Sequence, residues 1–344
     1  MEGETDPANR IHVPRGPERP TAKAGPRASP DPAGSRRGTA GAPGAYPTAR
    51  ESARGPAPTR RAGGTLVADA WQRLLKNRLA VLGLVIVAAL VVTAVAAPWL
   101  APQDPARQTL VDKRAAPGAK YWLGADEFGR DILSRVIYGS RVALLVGALS
   151  VAIALGGGLA LGSLAGFAGG WLDAGIMRVM EVLLAFPYLL LALAVVAALG
   201  PGVLDTTIAV GIWGMPSFTR MVRGAVLALK DHEYVRAARA LGRSSPMLLA
   251  RHILPNALPT VIVYATLFMA NAILVEAALS FLGLGVQPPT PSWGLMVSTG
   301  RDLLLVSPHI ATIPGLAIMI AALGFNLLGD GLRDALDPRL RGDQ

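Results

Sequence analysis

The feature that most limits what this chain can become is the gathering of its apolar residues into long runs without a charge. Residues 79–103, 142–171, 182–204, 253–275 and 310–329 contain no Asp, Glu, Lys or Arg. A hydrocarbon layer about 30 Å thick is crossed by about 20 helical residues, so each run is long enough to span it. A soluble core would instead scatter its apolar positions at helical or strand period among polar ones. A shorter sixth run, 206–219, spans if its helix continues through Met221 and Val222, with Arg220 and Arg223 snorkelling to the interface. The expected fold class is an all-α membrane protein with about six transmembrane helices, near 79–101, 142–165, 182–203, 205–224, 256–278 and 309–329.

Composition agrees with a bilayer as the solvent. With 52% hydrophobic and only 16% charged residues, and a mean hydropathy of +0.42, the chain is too apolar for an ordinary soluble protein. A formal charge of +10 would also suit a nucleic-acid binder. The arginines, however, lie in the N-terminal tail and between the apolar runs, which is how membrane topology is written. The lipid bilayer, and no nucleic acid, is therefore the expected partner. The absence of cysteine excludes disulfides, thiolate metal sites and cysteine nucleophiles.

Residues 1–64 are rich in Pro, Gly, Ala, Ser and Arg and too poor in large apolar side chains to offset the entropy of ordering. A disordered cytoplasmic tail is expected there, and no secretory leader, because no apolar stretch follows its first basic residues. An amphipathic stretch at 66–77 brings Trp71, Arg73 and Lys76, with Arg78, directly before the first apolar run. Basic and aromatic flanking of this kind places that end at the cytoplasmic interface. Six spans then put the basic segments 173–178, 230–251 and 333–341 inside, together with both termini. The connection 101–140 mixes Arg107, Lys113, Arg114, Lys120, Arg130 and Arg135 with Asp104, Asp112, Asp126, Glu127 and Asp131, and the other loops outvote its charge and place it outside. The expected organisation is a tail (1–64), a first segment with one span and an outer loop (65–136), a membrane core (137–333) and a short cytoplasmic C-terminus (334–344).

The most informative loop is EYVRAARALGRSSPMLLARHILP, at 233–255. Arg236, Arg239 and Arg243 follow at spacings of three and four and form a basic stripe, while Tyr234, Ala238 and Leu241 occupy other faces. Gly242 suits the left-handed residue that ends a helix, and Ser245 with Pro246 reads as a cap and first position that start another. Two short helices joined by a tight turn are expected. Such a charged hairpin either lies in the headgroups as a connector or docks on a partner.

The same loop resembles that of the inner-membrane permeases of binding-protein-dependent ATP-binding cassette importers. Their pattern is EAA, three residues, Gly, nine residues, Ile-x-Leu-Pro, and Arg236, Ala237, Ala238, Gly242, His252, Leu254 and Pro255 fall on its positions. Arg236 stands where the family has glutamate, and His252 where it has isoleucine. Three further segments are similar to the dipeptide, oligopeptide and nickel subfamily, specifically to the C member of its permease pair. They are LGADEFGRDILSRVIYGSR at 123–141, EAALSFLGLGVQPPTPSWG at 276–294 and FNLLGDGLRDALDPRL at 325–340. Ala125 stands where members often have threonine.

The resemblance implies a MetI-like permease core in a bacterial cytoplasmic membrane. It implies pairing with a second homologous permease, one or two ATPase subunits, and an extracytoplasmic solute-binding protein. The hairpin 233–255 would couple to the ATPase through Tyr234, Arg236, Ala237, Ala238, Leu241, Gly242, Leu254 and Pro255. Asp126, Gly129, Arg130, Asp131 and Arg135 form an outer-loop motif with no assigned role; for Arg130 and Asp131, pairing within the loop is expected and gating of the outer mouth is the alternative. The cargo would be dipeptides, oligopeptides or related small solutes.

Other features are read more plainly. A zinc helix needs a second His four residues after His232, and position 236 is Arg. No phosphate-binding loop GxxxxGK[ST] occurs, so ATP hydrolysis belongs to another chain; the subunit is expected to be no enzyme and to carry no cofactor. His252 and His309 read as interfacial, Glu181 and Glu276 as making headgroup or loop contacts, Gly156–Gly158 through Gly162 as helix packing, and Pro187, Pro255 and Pro259 as helix benders. The rival reading is a secondary transporter without an ATPase, which predicts an internal repeat and charged or helix-breaking residues near midspan; no clear repeat and few midspan charges are present.

Overall fold

A computed structural model describes residues 66–336, among which no strand forms and all regular structure is helical. The expected tail at 1–64 and residues 337–344 lie outside the described residues. Amphipathic α1 (Leu66–Lys76) ends at Asn77, whose Oδ1 accepts from the backbone N–H groups of Leu79 and Ala80 and caps α2 (Arg78–Val95). The cap accounts for a helix boundary where hydropathy alone would let one helix run on. The first run expected to 101 stops at Val95, because Pro98 cannot donate into a continuing helix and instead opens the short α3 (Ala97–Leu100).

After the connection at 101–131, α4 (Ile132–Ala168) is 37 residues long, about 55 Å at 1.5 Å per residue. It absorbs residues 132–140, expected as loop. The run expected as one span at 182–203 is instead broken: α5 (Gly170–Ala185) and α6 (Tyr188–Leu199) meet at 95° across Phe186 and Pro187. Proline has no N–H to give and clashes with the preceding turn, so the helix breaks where the sequence places it.

α7 (Val203–Lys230) follows, then α8 (Glu233–Ala240), α9 (Ser245–Leu248), α10 (Leu254–Phe281), α11 (Trp293–Gly300) and α12 (His309–Leu336). Four helices among the described residues are long and apolar enough to cross a membrane: α2, α4, the helix continuous from Ser245 to Phe281, and α12. The bent pair α5/α6 makes a fifth if it counts as one span. α7 has the length, at 28 residues, but carries Asp205, Arg220, Arg223 and Lys230.

Backbone proximity holds the bundle together. α4 turns Gly158, Gly162 and Gly166 to α7, where an added Cβ would fall 2.4 Å from Phe218 Cβ, 2.5 Å from Thr219 O and 2.9 Å from Val226 Cβ. Small residues at this spacing let two membrane helices approach closely. α2 meets α12 through Gly83 and Gly331 in the same way. α10 packs on α4, α7 and α12, with the rings of Trp213, Phe218, Tyr264 and Phe268 stacked edge to face or tilted between α7 and α10. Glu276, fully buried near the end of α10, accepts on Oε1 from Ser280 Oγ (2.8 Å) and Ser292 Oγ (2.9 Å), so its contact is with the following loop. An ion pair joins α5 to α7, Arg223 Nη2 reaching Asp173 Oδ2 at 2.6 Å.

Candidate functional site: the 233–255 hairpin and the outer loop

α8 ends in a Schellman motif. Gly242 has φ +80°, its N–H bonds Arg239 O at 3.0 Å, and Arg243 N–H bonds Ala238 O at 3.3 Å, so a residue without Cβ is needed at the tip. The second arm differs from expectation. Ser244, not Ser245, holds the cap position, and Pro246 is in the first turn of α9. Nor is α9 a separate helix: residues Leu249–Ile253 form a π turn that leads directly into α10. Pro255 explains the wide turn, since it offers no N–H to a carbonyl four residues back. The carbonyl of His252 accepts from Asn256 Nδ2 at 2.7 Å and from Tyr234 Oη at 3.4 Å, a bond that ties α8 to the foot of α10.

The hairpin therefore has an anchored base and an open tip. Val235, Leu248 and Ile253 are fully buried, Val235 and Ile253 in one cluster with Val222, Val226 and Val261. Of the residues expected to couple, Tyr234 and Leu254 serve the base, Ala238 is half-buried, and Arg236, Ala237, Leu241, Gly242 and Pro255 are exposed. Leu241 is 85% exposed. Arg239 lies over the Phe167 ring at 5.8 Å, and Arg243 Nη1 is 3.2 Å from Met247 Sδ. The sequence reading missed the anchors Val235, Leu248 and Ile253 and the Asn256 brace; an isolated valine between Tyr234 and Arg236 was the one available signal.

Asp126, Arg130 and Arg135 converge in a buried charge cluster. Asp126 Oδ1 accepts from the N–H groups of Phe128 and Arg130, both at 2.9 Å, while its Oδ2 meets Arg130 Nε at 2.6 Å and Arg135 Nε at 3.4 Å. Arg130 also reaches Glu127 at 3.0 Å; burial pushes the Glu127 carboxyl above its ordinary range, opposed by the nearby arginines. Asp131 caps α4 through Ser134. Gly129 has φ +72° and sits so tightly on the Thr109 carbonyl that no Cβ fits. Arg135 Nη1 donates to Pro105 O at 3.2 Å. All five are brought together, and all are buried.

The profile of the binding-protein-dependent transport system inner membrane component matches residues 158–342, more than half of the chain. The chain belongs to this family of permeases. The N-terminal transmembrane domain of oligopeptide transport permease C matches residues 65–117 of the permease. The dipeptide transport system permease protein DppC of Alkalihalophilus pseudofirmus is 44% identical over 273 residues, 79% of this chain and 90% of that protein. The glutathione transport system permease protein GsiD of Pectobacterium atrosepticum is 44% identical over 272 residues, with the same shares covered. A solved chain of the inward-facing MetNI methionine ABC transporter superposes with a TM-score of 0.49 at 17% identity, covering 59% of this chain and 96% of that one. The permease is thus a multi-pass membrane subunit of an ABC importer, in a family that works with ATPase and binding-protein partners.

Proposed function

We propose that this permease imports short peptides as one half of a heterodimer with a second homologous permease. An extracytoplasmic binding protein feeds the pair, and one or two ATPase subunits drive it through the hairpin 233–255. The cargo reading is supported by the dipeptide and glutathione systems named for relatives at 44% identity. The coupling reading is carried by one observation, an 85% exposed Leu241 at the tip of a hairpin whose base is fully buried. An exposed leucine on a rigid mount is what a partner groove recovers from water. The basic Arg236, Arg239 and Arg243 ask for acidic residues around that groove, and Arg236 reverses the sign of the family's glutamate.

In this reading α7 and the bent pair α5/α6 complete six crossings, with both termini and the tail in the cytoplasm. Asp126, Gly129, Arg130, Asp131 and Arg135 brace the outer loop that faces the binding protein. The test is affinity co-purification in mild detergent with mass spectrometry. An ATPase subunit is expected with the wild type and lost with Leu241→Asp, while the thermal stability of the chain is unchanged. Full recovery with Leu241→Asp overturns the coupling role, and a well-folded wild type that purifies alone moves the reading to a secondary transporter.

A further inference from the structure

The contacts between permease and solute are still unassigned, and one trough is built to make them. It opens between α7, α10 and α12 and encloses about 360 Å³; Met221 stands on one wall, Arg333 and Leu336 on the other, and Thr260, Tyr264 and Leu267 line its floor on α10. Helical periodicity carries the same faces outward. Asn271 lies seven residues beyond Tyr264, and Asn326 seven residues from Arg333, close to two full turns in each case. Both asparagines are exposed. Asn271 Nδ2 donates to Leu267 O of its own helix at 3.3 Å.

The packing of α10 on α12 sets their depth. An added Cβ at Gly329 would fall 2.5 Å from Leu267 Cδ2, and Met269 and Ile273 share a cluster with Phe325, Ala322 and Ala321. The two helices therefore run antiparallel in a register that puts Asn326 level with Asn271. Both amides thus lie at one level, inside the uncharged runs 253–275 and 310–329, each long enough to cross a layer about 30 Å thick. Polar groups at that depth face a bundle interior, a partner or a water-filled cavity, because lipid offers them no hydrogen bonds.

We propose that this trough is the chain's half of the solute path, and that Asn271 and Asn326 make its contacts with a peptide. The inference rests on the importer reading above. A primary amide offers both donor and acceptor without fixed charge, the complement of a peptide bond whatever the neighbouring side chains. Arg333 at the inner rim supplies a guanidinium for a terminal carboxylate.

The absence of cysteine makes a single introduced thiol the one thiol of this chain, read on its own band after the labelled subunits are separated. In the importer assembled with its ATPase and partner permease, Asn271→Cys and Asn326→Cys are expected to react with a membrane-impermeant maleimide. Their rates are expected to change several-fold on trapping with ATP and vanadate, while Val85→Cys, on the exposed face of α2, stays unreactive. Thiols at 271 and 326 that stay unreactive in every nucleotide state, or that react no faster than Val85→Cys, overturn the proposal, because lipid or a partner helix then covers the face. Asn271→Leu combined with Asn326→Leu is expected to lower Ala-Ala dipeptide uptake tenfold or more with ATPase recovery intact. Unchanged uptake overturns it as well. Loss of the ATPase from the wild type would instead strike the importer reading, so the two failures are distinguishable.

Discussion

Replacing Gly162 by alanine tests whether backbone proximity holds α4 to α7. An ideal Cβ at 162 falls 2.5 Å from Thr219 O and 2.9 Å from Val222 Cβ. The first is about 0.9 Å short of 3.4 Å, where ordinary contact begins. Neither neighbour can rotate away, so the helices must part. A gap of about 0.5–1 Å forfeits a quarter to a half of each dispersion contact, and over-packing costs about 1–3 kcal/mol. Alanine also gains up to about 1 kcal/mol of helix propensity, which would blur a single measurement. Gly156 on the same helix provides the control, since nothing lies within 4 Å of its added Cβ. Gly156→Ala receives the propensity gain without the clash, so the difference between the two variants isolates the steric cost. Gly162→Ala is expected to be about 1–3 kcal/mol less stable than Gly156→Ala, read as loss of helical circular dichroism in dodecyl maltoside micelles with rising SDS fraction. Equal midpoints and slopes for the two would refute the close-packing argument.

Glu276→Leu strands the hydroxyls of Ser280 and Ser292, at about 1–3 kcal/mol for each group left unpaired, whereas Glu276→Gln keeps an acceptor; the same titration is expected to rank leucine below glutamine, and the reverse order would sink the staple. In the connection at 101–131 the hydrogen bond from Lys120 holds the Asp112 carboxyl below its ordinary 3.8, and the same bond holds Lys120 above 10.5. A depressed carboxyl stabilises above its unfolded value and loses that as pH falls through its folded one; a raised ammonium stabilises below its unfolded value and loses that as pH rises through its folded one. The tether is therefore intact at neutral pH, and exchange protection of the Gly118 amide, bonded to Tyr121 O, is expected to drop on acidification below pH 3.8 and to lose that dependence in Lys120→Ala.

Much of the membrane core is legible in the sequence because spanning length and absence of charge are local properties. α2, α4, α10 and α12 each contain an uncharged run that announces them. The ends are less legible, since Asn77 and Pro98 act through single bonds that hydropathy averages away. The break at Phe186–Pro187 is signalled by its proline, but a 95° turn rather than a mild kink is decided by what α5 and α6 pack against. In the hairpin, the Gly242 turn is readable from its residue type, while the fusion of the second arm into α10 is not. It depends on a π turn in which the His252 carbonyl is bonded by Asn256 and Tyr234. The Arg223–Asp173 pair, 50 residues apart in the chain, is beyond any local pattern.

The fused arm has a mechanical consequence. From Ser245 to Phe281 the chain is one helix of 37 residues, about 55 Å long, running from the hairpin past the trough floor to Glu276. A partner that moves the Leu241 tip would pull, through the short turn at 242–244, on the helix that carries Tyr264 and Asn271. Compliance is concentrated at the π turn and at Pro255 and Pro259, where interrupted hydrogen bonding lets a helix bend. The far end is fixed, because Glu276 holds Ser292 and Trp293 Nε1 bonds Val136 O of α4 at 2.9 Å. In the coupling reading proposed above, force at the tip would reach α10 through its anchored foot and turn it about the end held at Ser292, carrying Asn271 with it.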